Sequence, residues 1–131
     1  MSKAYCLLNH ALTENQINEL KEKFAVDEII YPSQQLSGKW SQIPTTENLD
    51  KTVIDSVTAW LVGAEENDVL IVQGEFGSTF AIVDFALKKG LIAVHAVTQR
   101  IATESRDGEK VSRSYIFEHV CFRRYKYFNQ V

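Results

Sequence analysis

Gln73-Gly74-Glu75-Phe76-Gly77-Ser78-Thr79, set between an apolar run and a helix-forming segment, is the stretch of this sequence richest in groups that can do chemistry. Gly74 and Gly77 let the backbone come close to a ligand. The free N–H groups and dipole at a helix start favour an anion such as phosphate, so the amides from Gly74 through Phe76 to Ser78 form a candidate phosphate cradle. Gln73 contributes an amide, and Ser78 and Thr79 contribute hydroxyls. Glu75 is an awkward neighbour for an anion: it faces solvent, binds a ribose hydroxyl or holds a metal. The segment is neither a GxGxxG fingerprint nor a P-loop, because no Gly-Lys-Ser/Thr follows, and many αβ proteins use such a turn for packing alone.

Two other apolar runs also finish in polar side chains, one in Asn9-His10 and one in Thr98-Gln99-Arg100. His10 can move protons near neutral pH. Arg100 suits a phosphate as a two-pronged donor, and it equally suits a surface ion pair with Glu104. Taken singly, Asn9 and Thr98 read as turn or cap residues; three polar ends on one edge read as a site. His95 lies inside an apolar run and reads as structural. His119, in Phe117-Glu118-His119-Val120-Cys121-Phe122-Arg123, reads as a core or interface histidine, with Arg123 beside it as a lesser candidate. The carboxylates are scattered, so no metal site is expected and none of the clusters a two-metal nuclease needs is visible. A GxSxG elbow is absent, and neither cysteine sits at a strand-to-helix turn.

These ends need a scaffold that gathers them. Ala4 to Leu8 reads as a buried strand. Thr13-Glu14-Asn15-Gln16 has the form of a capping box, and Ile17, Leu20 and Phe24 recur at helical spacing behind it. Glu28 to Tyr31 is a second strand, stopped by Pro32, and Ser33 to Thr46 reads as a loop. A second helix carries Leu49, Val53, Val57, Trp60 and Leu61 and stops near Gly63. Val69 to Val72 is the clearest strand. A third helix runs from the glycine-bearing segment to Lys88-Lys89, with Gly90 as cap. Leu91 to Val97 is a fourth strand. Asp107-Gly108 signals a hairpin between polar strands, and Tyr115 to Tyr127 continues as strand or short helix. This order predicts an α/β fold over residues 1–131: a mostly parallel sheet, helices on both faces, and a C-terminal β-hairpin. Strand one beside strand three puts a crevice at the carboxyl ends.

The chain has 131 residues, enough for one domain with a core of its own. Its net charge of −3 argues against coating a long nucleic acid by bulk charge. Two cysteines without CxxC spacing read as buried thiols of a reducing cytoplasm. The N-terminus lacks the form of a signal peptide, and no apolar stretch is long enough to span a membrane.

Leu7-Leu8-Asn9-His10 with Leu12-Thr13, Trp40-Ser41-Gln42-Ile43-Pro44, Val72-Gln73-Gly74-Glu75-Phe76-Gly77 and Phe117 to Arg123 together give the sequence a family likeness. It resembles the small ancillary Csx proteins of type III CRISPR systems, over nearly the whole chain. The resemblance implies a stripped-down, Rossmann-like CARF domain that acts in the cytoplasm as a ring nuclease in antiviral defence. Its implied ligand is cyclic oligoadenylate, most closely cyclic tetra-adenylate. No cofactor is implied, and cleavage by the ribose 2′-hydroxyl would need no metal. On this reading His10 is acid or base, Arg100 and the amides of Gly74 to Ser78 hold phosphate, and Asn9, Gln73 and Thr98 position the ring. Trp40 stacks on adenine or simply packs. One small crevice cannot enclose a ring, so a homodimer is expected. A non-cutting sink, or an interaction protein using its aromatic tail, are the other classes.

Overall fold

In the computed structural model, which describes residues 2–131, the chain runs β1 (Ser2–Leu7), α1 (Glu14–Phe24), β2 (Val26–Ile30), α2 (Gln34–Ser41), α3 (Lys51–Trp60), β3 (Val69–Val72), α4 (Phe76–Lys89), β4 (Ile92–Asp107) and β5 (Lys110–Arg124). The strands make one sheet in the order β2-β1-β3-β4-β5. The first four run parallel and β5 lies antiparallel to β4. All four residues of β3 are buried, as a central parallel strand covered on both faces requires. Period-two alternation divides the core: Tyr5, Leu7, Leu70, Val72 and Ala93 meet α2, α3 and α4, whereas Ala4, Cys6, Val69, Ile71 and Val94 meet α1 and Phe122. β1 sits between β2 and β3, so the chain leaves the two neighbouring strands β1 and β3 in opposite directions. Their carboxyl ends therefore flank a crevice.

Local signals set the helix ends as read. Thr13 Oγ1 accepts from Gln16 N, and Gln16 returns the bond to Thr13 N. Gly90, at φ +88°, caps α4 behind Lys88 and Lys89. Cys6 is buried and burial pushes its thiol up to about 12; Cys121 is half-buried and both are free thiols.

Two expectations fail. Residues 33–46 are not all loop: α2 occupies Gln34–Ser41, with Ser33 Oγ capping Leu36 N at 3.1 Å. Leu36 and Trp40, four apart, both bury toward the sheet, which outweighs the Ser, Gln and Gly around them. Nor does β4 stop at Val97. It continues to Asp107, paired with β5 throughout, and Gly108 turns the hairpin at φ +63°. Past the end of β3, a second strand alone satisfies the backbone, so polar residues serve as well as apolar ones. A bulge interrupts the ladder where Val97 pairs Cys121 and Thr98 pairs His119, leaving Val120 unpaired.

His119 fastens β5 to α1. Its Nε2 lies 2.7 Å from Glu19 Oε1, with side chains 6% and 9% exposed, and Phe122 N donates to Glu19 Oε2 at 2.8 Å. Removing one partner strands a buried carboxylate. His119→Ala is therefore expected to lower unfolding free energy by about 3 kcal/mol, measured by urea denaturation; an unchanged midpoint would show the pair to be dispensable.

Candidate active-site cleft

The sheet's carboxyl edge carries two separate cavities. The larger, about 470 Å³, opens between β3, α4, β4 and the end of β5, lined by Gln73, Gly74, Phe76, Thr79, Phe80, Val83, His95, Tyr125 and Lys126. The smaller, about 280 Å³, lies over β1 and β2 and includes Asn9, His10, Tyr31 and Ser37. They share no lining residue.

The back wall of the larger cleft is stitched by Gln73. Its N–H donates to Leu7 O at 3.2 Å, its side-chain Oε1 accepts from Ala96 N at 2.8 Å, and its carbonyl accepts the Trp40 indole N–H at 2.9 Å. Gln73 thus ties β3 to β1, β4 and α2 where the parallel ladder ends. Tyr125 closes another side, its hydroxyl donating to Val72 O at 2.8 Å. Phe76 and Phe80, 92% and 78% exposed, stand one helical turn apart on α4 and line the cleft. Thr79 Oγ1 is buried with no hydrogen-bond partner, the one such side-chain atom among the described residues.

His95 is the histidine that lines the cleft, a side chain able to exchange protons near neutral pH. It shares the α4-facing side of β4 with Ala93, and its ring lies 4.9 Å from that of Tyr125. Burial holds its pKa below the ordinary histidine value, and the neighbouring Arg123 cation adds to the effect. Arg123 pairs directly across the ladder from His95, and Lys126 is the cation that lines the cleft. The set offers aromatic faces, one lining cation with a second beside the histidine, and an imidazole biased toward its neutral form, which suits a nucleotide phosphodiester.

The expected site residues scatter. Gln73, Gly74, Phe76 and Thr79 reach the larger cleft, while Asn9 and His10 stay in the smaller one, His10 bonded through Nδ1 to Ala11 O at 3.0 Å. Thr98 and Arg100 lie out on the hairpin, because β4 does not end there, and the Arg100 guanidinium sits 4.4 Å from the Tyr115 ring centre. Trp40 is 1% exposed and packs on the sheet. A Cβ on Gly74 would come within 2.7 Å of the indole, and one on Gly77 within 2.8 Å of Leu49; packing accounts for both glycines.

The phosphate cradle is filled from within. The Glu75 carboxylate accepts from Gly77 N at 2.7 Å, Ser78 N at 2.9 Å and Ser78 Oγ at 2.8 Å. These bonds, that from Gly77 first, hold its carboxyl below the usual range. Glu75 is thus the N-cap of α4, a role that Glu75 with Ser78 three residues on could have signalled. Phe80, Tyr125 and Lys126 are lining residues that the sequence does not single out, and His95, which reads as structural from its apolar run, also lines the cleft. The i,i+4 spacing of Phe76 and Phe80, and the parity of His95 with Ala93, were the available signals.

A family model described as "Uncharacterized protein MJ1673 family" matches residues 2–123. A Methanocaldococcus jannaschii protein, "Uncharacterized protein MJ1673", is 35% identical over 126 residues, covering 95% of this chain and 98% of its own length. No solved structure matches.

Proposed function

The chain belongs to the MJ1673 family, whose name carries no activity, and from the cleft we propose that it binds cyclic oligoadenylate, most closely the tetra-adenylate, and cleaves the ring. The observation that carries this reading is the larger cleft itself: two exposed phenylalanines, a partly buried histidine and Lys126 around one opening, with Arg123 paired across the ladder from that histidine. The order β2-β1-β3-β4 supports a Rossmann-like, CARF-like domain, with its ligand at the carboxyl edge. No described helix is long and apolar enough to cross a membrane; the proposed role is a cytoplasmic one in type III CRISPR signalling.

Phe76 and Phe80 stack on adenine. Arg123 and Lys126 hold the phosphate. The ribose 2′-hydroxyl attacks its own neighbouring phosphorus in line: the P–O2′ bond forms, the P–O5′ bond breaks, and one proton passes from O2′ to O5′. His95 takes or delivers that proton. The products are a 2′,3′-cyclic phosphate end and a 5′-hydroxyl. A cleft of this size suits one nucleotide unit, so two copies of the chain address a symmetric ring.

Incubation with cyclic tri-, tetra- and hexa-adenylate in EDTA, followed by chromatography, is expected to yield linear products from at least one ring at low enzyme ratio. Because Glu75 already occupies the first amides of α4, a second reading is a sink that holds the ring without cutting it. Retention on equilibrium dialysis with the ring intact would favour that reading; neither binding nor turnover would overturn both.

A further inference from the structure

Beyond the bulge, β4 and β5 form a two-stranded ribbon, and β5 is an edge strand of the sheet. Every residue from Lys110 to Glu118 is exposed, including Val111, Tyr115, Ile116 and Phe117. An apolar edge strand with unused N–H and C=O groups is a template for another strand, and an isolated two-stranded ribbon is marginal in water.

We propose that β5 pairs antiparallel with β5 of a second copy of this chain, in the register centred on Ser114. With the two-fold axis normal to the sheet, a residue and its symmetry mate point to the same face. The pairing must then centre on a residue, not between two. Centred on Ser114, Lys110 faces the partner's Glu118, Val111 faces the partner's Phe117, Arg113 faces the partner's Tyr115, and Ser114 meets itself. Each contact occurs twice: opposite charges, an apolar pair and a cation over an aromatic ring. Neighbouring registers lose this match. Centring on Arg113 sets like charges together, centring on Tyr115 puts Lys110 against Val120 and Glu118 against Ser112, and centring on Ile116 puts Glu118 against Ser114. The strands run oppositely and each ribbon leaves its body at the carboxyl edge, so the two crevices look toward each other. The inference rests on the two-copy part of the reading above and is independent of what the cleft binds.

Sedimentation of the ligand-free chain tests it. Wild type is expected to be a dimer, with Lys110→Glu and Glu118→Lys each weakening association about tenfold or more and the double exchange restoring it. Ser114→Cys is expected to form a covalent dimer on air oxidation, since directly opposed Cα atoms lie about 4.5–5.5 Å apart. Ser112→Cys, roughly 13 Å from its mate in this register, is expected to behave as the wild type under the same treatment. A dimer indifferent to both charge reversals and uncrosslinked at Ser114 would overturn the interface while leaving the two-copy reading standing. A monomer at all concentrations would overturn both, and a ring still cut by that monomer would leave the cleft chemistry intact.

Discussion

Trp40→Ala is expected to lower the unfolding free energy by about 3–5 kcal/mol, the usual cost of truncating a buried large aromatic. The indole is 1% exposed in the core shared by α2, α3, α4 and the sheet. Removing it opens a cavity beneath Gly74 and leaves Gln73 O without its 2.9 Å donor, a further cost when the acceptor is out of water. Trp40→Phe keeps most of the packing and loses the hydrogen bond, so it falls between wild type and alanine. Urea unfolding followed by circular dichroism reads all three. Were Trp40 an adenine platform instead, the alanine variant would keep its midpoint and lose ring affinity.

His95→Ala is expected to slow single-turnover cleavage about 100-fold or more while ring affinity stays close to wild type, because Phe76, Phe80, Arg123 and Lys126 remain. His10→Ala is expected to cut at nearly the wild-type rate, since His10 lines the other cavity. Burial lowers the pKa of His95, so its neutral, proton-accepting form survives further into acid than that of an ordinary histidine. The acid limb of the pH–rate profile is expected below the ordinary value of about 6.5 and to vanish in His95→Ala. A slow His10→Ala beside a normal His95→Ala would move the chemistry to the smaller cavity.

What the sequence made legible follows from where physics leaves a periodic mark. β3 and residues 4–7 of β1 are uninterrupted apolar runs, and the Thr13 box and Gly90 cap are local chemistry, so the sheet's centre, those helix ends and the hairpin turn were readable. α2 was not, because two buried side chains, Leu36 and Trp40, give too little periodicity against Ser33, Gln34, Gln35 and Gly38. The length of β4 was not, because an exposed ribbon needs backbone pairing and no buried face; Thr98-Gln99-Arg100 therefore looked like an end. That error carried Thr98 and Arg100 into the expected site. The exposure of His95 to the cleft was not legible for the opposite reason: an apolar neighbourhood hides that alternate residues of a strand face different elements. Glu75 was singled out correctly as the odd charge, and its own capping bonds explain it.

The indole of Trp40 is also a built-in optical probe. Its N–H is bonded to the carbonyl of Gln73, a residue of the cleft's back wall, and the emission of an indole depends on that bond and on the polarity around it. Trp60 stands edge-on to Tyr5, with ring centres 5.4 Å apart, and lines no part of the cleft. Emission that changes on titrating a nucleotide into wild type, and fails to change in Trp40→Phe, reads occupancy of the cleft without any attached dye.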